Sequence, residues 1–391
     1  MLSDVLLWSL AHEKMRKRKM PIQTNLNQSK GAALGNTQHF LYLDGLRGLA
    51  ALVIAFVHFR DFAFYKLPVA GGLWVGFFFM LSGFVLTHAY RKQIQKRSLT
   101  FRSYVGLRLA RLYPLYILTN VLCFLMVAAG AYYKFKTGAA PSFDVFKGGG
   151  VVEILETITL TQMLFGGHQF FNGPSWSISV EMWCSLWAFF LFMPRRKWIK
   201  GLAISAVVIL FVLVQLNGGA IYPKTQWICG IFKQHYVTGL FCFTAGWLAA
   251  LVVPVHSGKI VPGIIATLGA LCVTVFVKSI SSNPFCEIGF YGISLIMICC
   301  FATTSTPANN VLRLILKKSG EYSYGFYLWH MFIIMLVPKL LRVTEKAGIE
   351  LERTIPLAVV FVLVTITVSH FSYKYFEIPA KKFLRNRLAA R

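Results

Sequence analysis

Acidic residues are scarce in this sequence: 14 Asp and Glu stand against 40 Lys and Arg, a formal net charge of +26 over 391 residues. On a water-soluble chain that imbalance points to nucleic acid. Here 56% of the residues are hydrophobic and the mean hydropathy is +0.60. The basic residues sit in short loops between apolar runs, the pattern that sets membrane topology, so nucleic-acid binding is set aside. No C-x-x-C pair occurs among the eight cysteines, and most of them lie inside apolar runs, where cysteine acts as a small hydrophobe. Neither a metal site nor a disulfide framework is expected. There is no Walker loop, dinucleotide fingerprint or H-E-x-x-H. No signal peptide is expected, because the apolar stretch Val5–Leu10 precedes the basic cluster Lys14–Lys19, the reverse of the usual order. Residues 1–40 read as a cytosolic extension. No internal repeat is visible, and no appended soluble domain is expected.

What the sequence does have is apolar length. Runs of about 20 residues, enough to cross hydrocarbon, fall near 43–64, 70–90, 112–133, 174–193, 201–217, 236–253, 260–278, 286–304, 322–341 and 355–376. The expected fold is therefore all-α and polytopic, with about ten transmembrane helices. Basic residues concentrate in Lys14–Lys19, Arg91–Arg111, Arg195–Lys200, Arg313–Lys318 and Lys374–Arg391, which places both termini in the cytosol. A membrane domain over 41–380 is followed by a basic tail at 381–391. The segment 134–173 is the longest outer stretch, and its middle, Glu153–Phe165, reads as a helix that either lies on the interface or dips into the membrane.

Several spans carry polar groups that lipid disfavours. Arg47 and His58, eleven residues apart on the first span, return to nearly the same helix face about 16 Å apart along the axis. Arg47 alone fits a residue reaching to the interface, and His58 alone fits a packed histidine; together they read as a functional stripe. In the second span Gly72, Gly76 and Gly83 suit close helix approach. Ser82 reads as a hydrogen-bond donor into a polar cavity, with no base beside it in sequence. Arg108 and Arg111 sit three apart where the third span enters the membrane, a geometry for phosphate or for lipid headgroups. Glu181 lies about 10 Å along the fourth span from Pro174, at a depth like that of His58. A histidine with a carboxylate is the minimum for general-base chemistry, and a structural Glu–Arg pair is the competing reading. His330, in the run Tyr322-Ser-Tyr-Gly-Phe-Tyr-Leu-Trp-His330, is a second buried imidazole with a supporting, hydrogen-bonding role. His39-x4-Asp44 matches a soluble-face acyltransferase pattern by chance, since it stands alone and runs straight into a span.

Taken together, Arg47-x10-His58, Gly76-Phe-Phe-Phe-Met-Leu-Ser82-Gly-Phe, Arg108-x-x-Arg111, Pro174-Ser-Trp176-Ser-Ile-Ser-Val-Glu181, Ser323-Tyr-Gly-Phe-Tyr-Leu-Trp-His330 and Phe376-Glu-Ile-Pro379 resemble the integral-membrane acyltransferase family 3 over residues 40–380. The resemblance implies a ten-helix enzyme in a bacterial inner membrane. It would move an acyl group, usually acetyl, from cytosolic acyl-CoA to a hydroxyl, commonly on an envelope glycan or glycolipid. By position it assigns Arg47, Arg108 and Arg111 to acyl-CoA, His58 and Glu181 to catalysis, and Ser82, Trp176 and His330 to the pocket. The rival expectation is a transporter or flippase that uses the same intramembrane charges as a relay. A degenerate scaffold or sensor is a third, which the presence of both His58 and Glu181 disfavours.

Overall fold

The structure is a computed structural model. It describes residues 40–59, 70–138, 151–164, 171–194, 197–219, 227–228, 232–253, 260–279, 284–346 and 355–389. The expected N-terminal extension, apart from residue 40, lies outside them. Among the described residues twelve α-helices follow in chain order: α1 (Leu41–Phe59), α2 (Gly71–Gln95), α3 (Phe101–Lys136), α4 (Val151–Thr159), α5 (Trp176–Phe192), α6 (Lys197–Leu216), α7 (Gln234–Val252), α8 (Ile260–Ser279), α9 (Pro284–Thr303), α10 (Asn310–Lys346), α11 (Ile355–Ser372) and α12 (Ile378–Ala389). A π-helical turn, Tyr373–Glu377, joins the last two. The β structure among the described residues is one short antiparallel pair, β1 (Trp227–Ile228) and β2 (Phe232–Lys233). The chain is all-α and polytopic: among the described residues eight helices are long and apolar enough to cross a membrane.

Each expected span has its helix. The third and ninth are longer than hydropathy implied, since α3 has 36 residues and α10 has 37. At 1.5 Å per residue each is about 55 Å long, well beyond a hydrocarbon core of about 30 Å. Their charged ends therefore continue as helix outside the apolar layer. The stretch read as a basic tail holds most of α12.

Small residues set how the helices meet. Carbon added at Gly83 would strike the Phe243 carbonyl, and carbon added at Gly246 would strike the Met80 carbonyl. Helices α2 and α7 thus touch backbone to backbone, the approach that small residues allow in membranes. Gly76 instead accommodates the Tyr291 ring, and Gly72 has no neighbour within 4 Å. In the same way α1 lies on α10, with Gly45 against Leu316, Gly48 against Ser319 and Gly320 against Asp44. The pairs 48/319 and 58/330 advance together, so α1 and α10 run parallel.

Candidate active site

The inner faces of α2, α3 and α5 hold one buried charge centre. Arg108 is only 3% exposed. Its Nη2 donates to Glu181 Oε1 at 2.7 Å, and its Nε donates to Ser185 Oγ at 3.0 Å. Glu181 and Ser185 are one helical turn apart on α5, so a single planar guanidinium reaches both. Ser82 of α2 donates to the same carboxylate oxygen at 3.2 Å. A guanidinium buried this deeply is tolerable because the carboxylate and a hydroxyl replace its water.

A second centre lies where α1 meets α10. His330 is fully buried, and its Nε2 stands 3.2 Å from His58 Nδ1, with the two rings stacked at 5.2 Å between centroids. His330 Nδ1 makes no hydrogen bond among the described residues. Within the pair one ring nitrogen donates to the other, and the tautomers decide which. Beside this pair the Tyr327 hydroxyl donates to the Pro174 carbonyl at 3.1 Å and meets Ser177 Oγ at 2.8 Å. The Asn172 amide donates to the Leu328 carbonyl at 3.0 Å. The turn before α5 is thereby tied to the His330 segment of α10.

Arg47 lies near the other end of α1, paired with Asp44 at 3.1 Å one turn before it. It is within electrostatic reach of Arg111 and Glu181. Arg111 is exposed and makes no hydrogen bond or ion pair among the described residues. Lys381 of α12 and Glu377 of the π-turn both lie in its field. Tyr324 bridges the two levels: its hydroxyl donates to the Leu112 carbonyl, and its ring lies in the fields of Glu181, Glu377 and Arg111.

The expected residues therefore separate into two groups. Glu181 takes Arg108 and Ser82 rather than His58, because a permanent guanidinium reaches the half-buried carboxylate from α3. His58 takes His330. Arg108 and Arg111 part company as well, the first buried and paired, the second exposed. Trp176 meets His235 edge-on at 4.9 Å. Ser185 was not singled out in the sequence, and Asp44 entered only in the dismissed His39-x4-Asp44 match, although each stands one turn from a residue given a role. Glu377 was quoted within the run Phe376–Pro379 without a role, and Lys381 not at all; three-dimensional proximity is what brings both to Arg111.

The family model described as an acyltransferase domain matches residues 40–373. The chain belongs to that acyltransferase family. It is similar to the peptidoglycan O-acetyltransferase OatA of Listeria monocytogenes, at 25% identity over 87% of this chain and 55% of that protein. It is also similar to protein 2 in the picA locus of Rhizobium radiobacter, at 46% identity over 22% of this chain and 44% of that protein. The chain spans about half the length of these curated relatives. No solved structure matches it.

Proposed function

We propose that this acyltransferase is a membrane O-acetyltransferase of a bacterial inner membrane, moving acetyl from acetyl-CoA to a hydroxyl on an envelope glycan or glycolipid. The observation that carries the reading is the His58–His330 pair, a buried imidazole orienting a second one inside an acyltransferase fold. His58 Nε2 takes the proton of the acceptor hydroxyl as its oxygen attacks the thioester carbonyl. The proton then passes to the departing CoA thiolate, and the acetyl ester remains on the acceptor. His330 is the positioning residue: it fixes the tautomer and accepts the Nδ1–H as His58 becomes positively charged.

CoA is charged, so its phosphates belong at the cytosolic end, where Arg111 is exposed without a partner among the described residues and Lys381 stands near it. The pantetheine arm runs inward past Arg47 toward His58. Arg108 and Glu181 act between the two sites by holding α3 and α5 together around the path. Holding both reactants in one bundle lowers the entropic part of the barrier. The test is thiol release from acetyl-CoA by protein in nanodiscs, with envelope extract as acceptor. His58→Ala should abolish release while leaving a monodisperse, folded protein. An active His58→Ala removes this mechanism, and a wild type that neither binds nor turns over acetyl-CoA favours a transporter that uses the same residues as a relay.

A further inference from the structure

The last helix, α12, brings cations to the end of the bundle that carries Arg111. Glu377, Lys381 and Arg385 stand four residues apart, so they share one helix face. Packing fixes where that face points: α12 lies on α3, and the π-turn before it touches both α3 and α10. A π-turn inserts one residue into helical register and so re-aims the helix that follows, and such turns occur mostly at functional sites. Here it leaves the Glu377 carboxylate against α10. Its Oε1 accepts Ser372 Oγ at 3.4 Å and lies 3.0 Å from where a Cβ on Gly325 would stand. The opposite face of α12 points away from α3. On it Phe383 is exposed, with the Arg387 guanidinium over its ring at 4.7 Å from the centroid, a pairing suited to a membrane interface.

Lys381 lies in the fields of Arg111, Arg385 and Arg108, and also in that of Glu377. Arg111 is in turn within electrostatic reach of Arg47. Arg108 and Arg47 have carboxylates of their own, Glu181 and Asp44. Among the described residues Arg111, Lys381 and Arg385 make no hydrogen bond, ion pair or ring contact. Lys381 and Arg385 form a like-charge i, i+4 pair, which by itself weakens a helix. Arg111 of α3 adds a third positive charge beside them, and Glu377 offsets one of the three. Two packed helices that hold like charges together, with guanidinium forks among them, offer a site to an anion of several charges.

We infer that α12 is the second wall of the donor's phosphate site. Lys381 and Arg385 join Arg111 in holding the phosphates of the donor's nucleotide, so the enzyme selects a thioester that carries the nucleotide over the bare pantetheine thioester. Glu377 is the counterweight: it steadies the cations while the site is empty and repels the phosphates when they enter. Anionic lipid headgroups share this phosphate chemistry, but the position of the cations favours the donor. Lys381 and Arg385 lie on the face turned to α3, whereas a headgroup would meet the opposite face, where Phe383 and Arg387 stand. This assignment rests on the acetyl-CoA reading of the site.

The test compares two donors that share one thioester, acetyl-CoA and S-acetylpantetheine. Thiol release is measured with full-length protein in nanodiscs of zwitterionic lipid, with envelope extract as acceptor. Wild type should favour acetyl-CoA in kcat/KM. Lys381→Gln and Arg385→Gln should each lower that preference about tenfold, through KM for acetyl-CoA. Glu377→Gln, which keeps an acceptor oxygen for Ser372, should raise the preference about twofold, because a repelling charge is gone. The opposite signs separate an electrostatic role from a structural one, and the ratio of two donors cancels any unfolded fraction. An unchanged preference in the Lys381 and Arg385 variants, or a fall in all three, overturns the second wall and leaves the acetyltransferase reading in place. So does an effect that appears only when anionic lipid is added to the nanodiscs, which would assign the cations to headgroups. Wild type without a preference between the donors overturns the nucleotide selection. Wild type that turns over neither donor sinks the activity reading itself.

Discussion

If Arg108 and Glu181 form a structural pair, removing one partner should harm the protein more than removing both. In Arg108→Met the Glu181 carboxylate keeps only the Ser82 hydroxyl, at 3.2 Å. Because the Glu181 side chain is 23% exposed, some water reaches it, and the cost falls at the lower end of the range for breaking a buried pair, about 3 kcal/mol. Glu181→Met strands a guanidinium on a side chain only 4% exposed. Ser185 is then its one remaining hydrogen-bond partner, so the cost sits at the upper end, about 5 kcal/mol. The double variant leaves neither charge. Ser185 still donates to the Glu181 carbonyl position at 2.8 Å, and only Ser82 loses its acceptor, for about 1 kcal/mol. The assay is denaturant unfolding in mixed micelles, followed by tryptophan fluorescence for all four proteins. The expected order is wild type, double variant, Arg108→Met, Glu181→Met. Additive losses would refute the pairing. So would an Arg108→Met protein of unchanged stability whose affinity for CoA alone had fallen, because that result would return Arg108 to the ligand.

Three further outcomes follow from the same geometry. His330→Leu removes the acceptor for His58 Nδ1–H and should lower kcat by about 10²-fold, within the range ascribed to general-base catalysis, with KM for acetyl-CoA little changed; His330→Gln, which keeps an acceptor oxygen, should recover part of the loss in the same steady-state assay. Arg111→Gln should raise KM for acetyl-CoA with kcat nearly unchanged, and the defect should shrink as salt weakens the wild-type interaction. Gly246→Leu places a side chain against the Met80 carbonyl, where a backbone cannot yield. Loss of monodisperse protein on size exclusion is expected there, whereas Gly72→Ala, with open space around it, should behave as wild type.

The apolar helices were legible because apolar length is a local property that needs no partner, although among the described residues eight of the ten expected spans are long and apolar enough to cross a membrane. The ends of α3 and α10 were not, since hydropathy falls at Arg102–Arg111 and Arg313–Lys318 while the helix continues. Arg47 and His58 were legible as one stripe, but their partners were chosen by packing. The parallel run of α1 on α10 brings His330 to His58, eleven residues on from Ser319 against Gly48, and no local pattern carries that register. Depth counted along single helices set Glu181 level with His58. It could not weigh the charge of Arg108, which reaches the carboxylate from a third helix.

Helix α4 shows where the limit of sequence reading lies in physical terms. Its two faces are plain in the sequence: Glu153, Glu156 and Thr157 recur at helical spacing, and Val151, Val152, Leu155 and Ile158 occupy the opposite side. What periodicity cannot give is the sign, because the face that turns inward depends on the solvent outside. Against water the aliphatic side would pack on the bundle and the carboxylates would be solvated. Against hydrocarbon the order inverts, and two carboxylates enter the bundle only where polar groups receive them. Tyr113, Tyr116, Ser179 and Trp183 supply the anchoring hydrogen bonds, and Lys233 supplies the opposing charge. The inversion thus requires a polar interior at that height of the bundle.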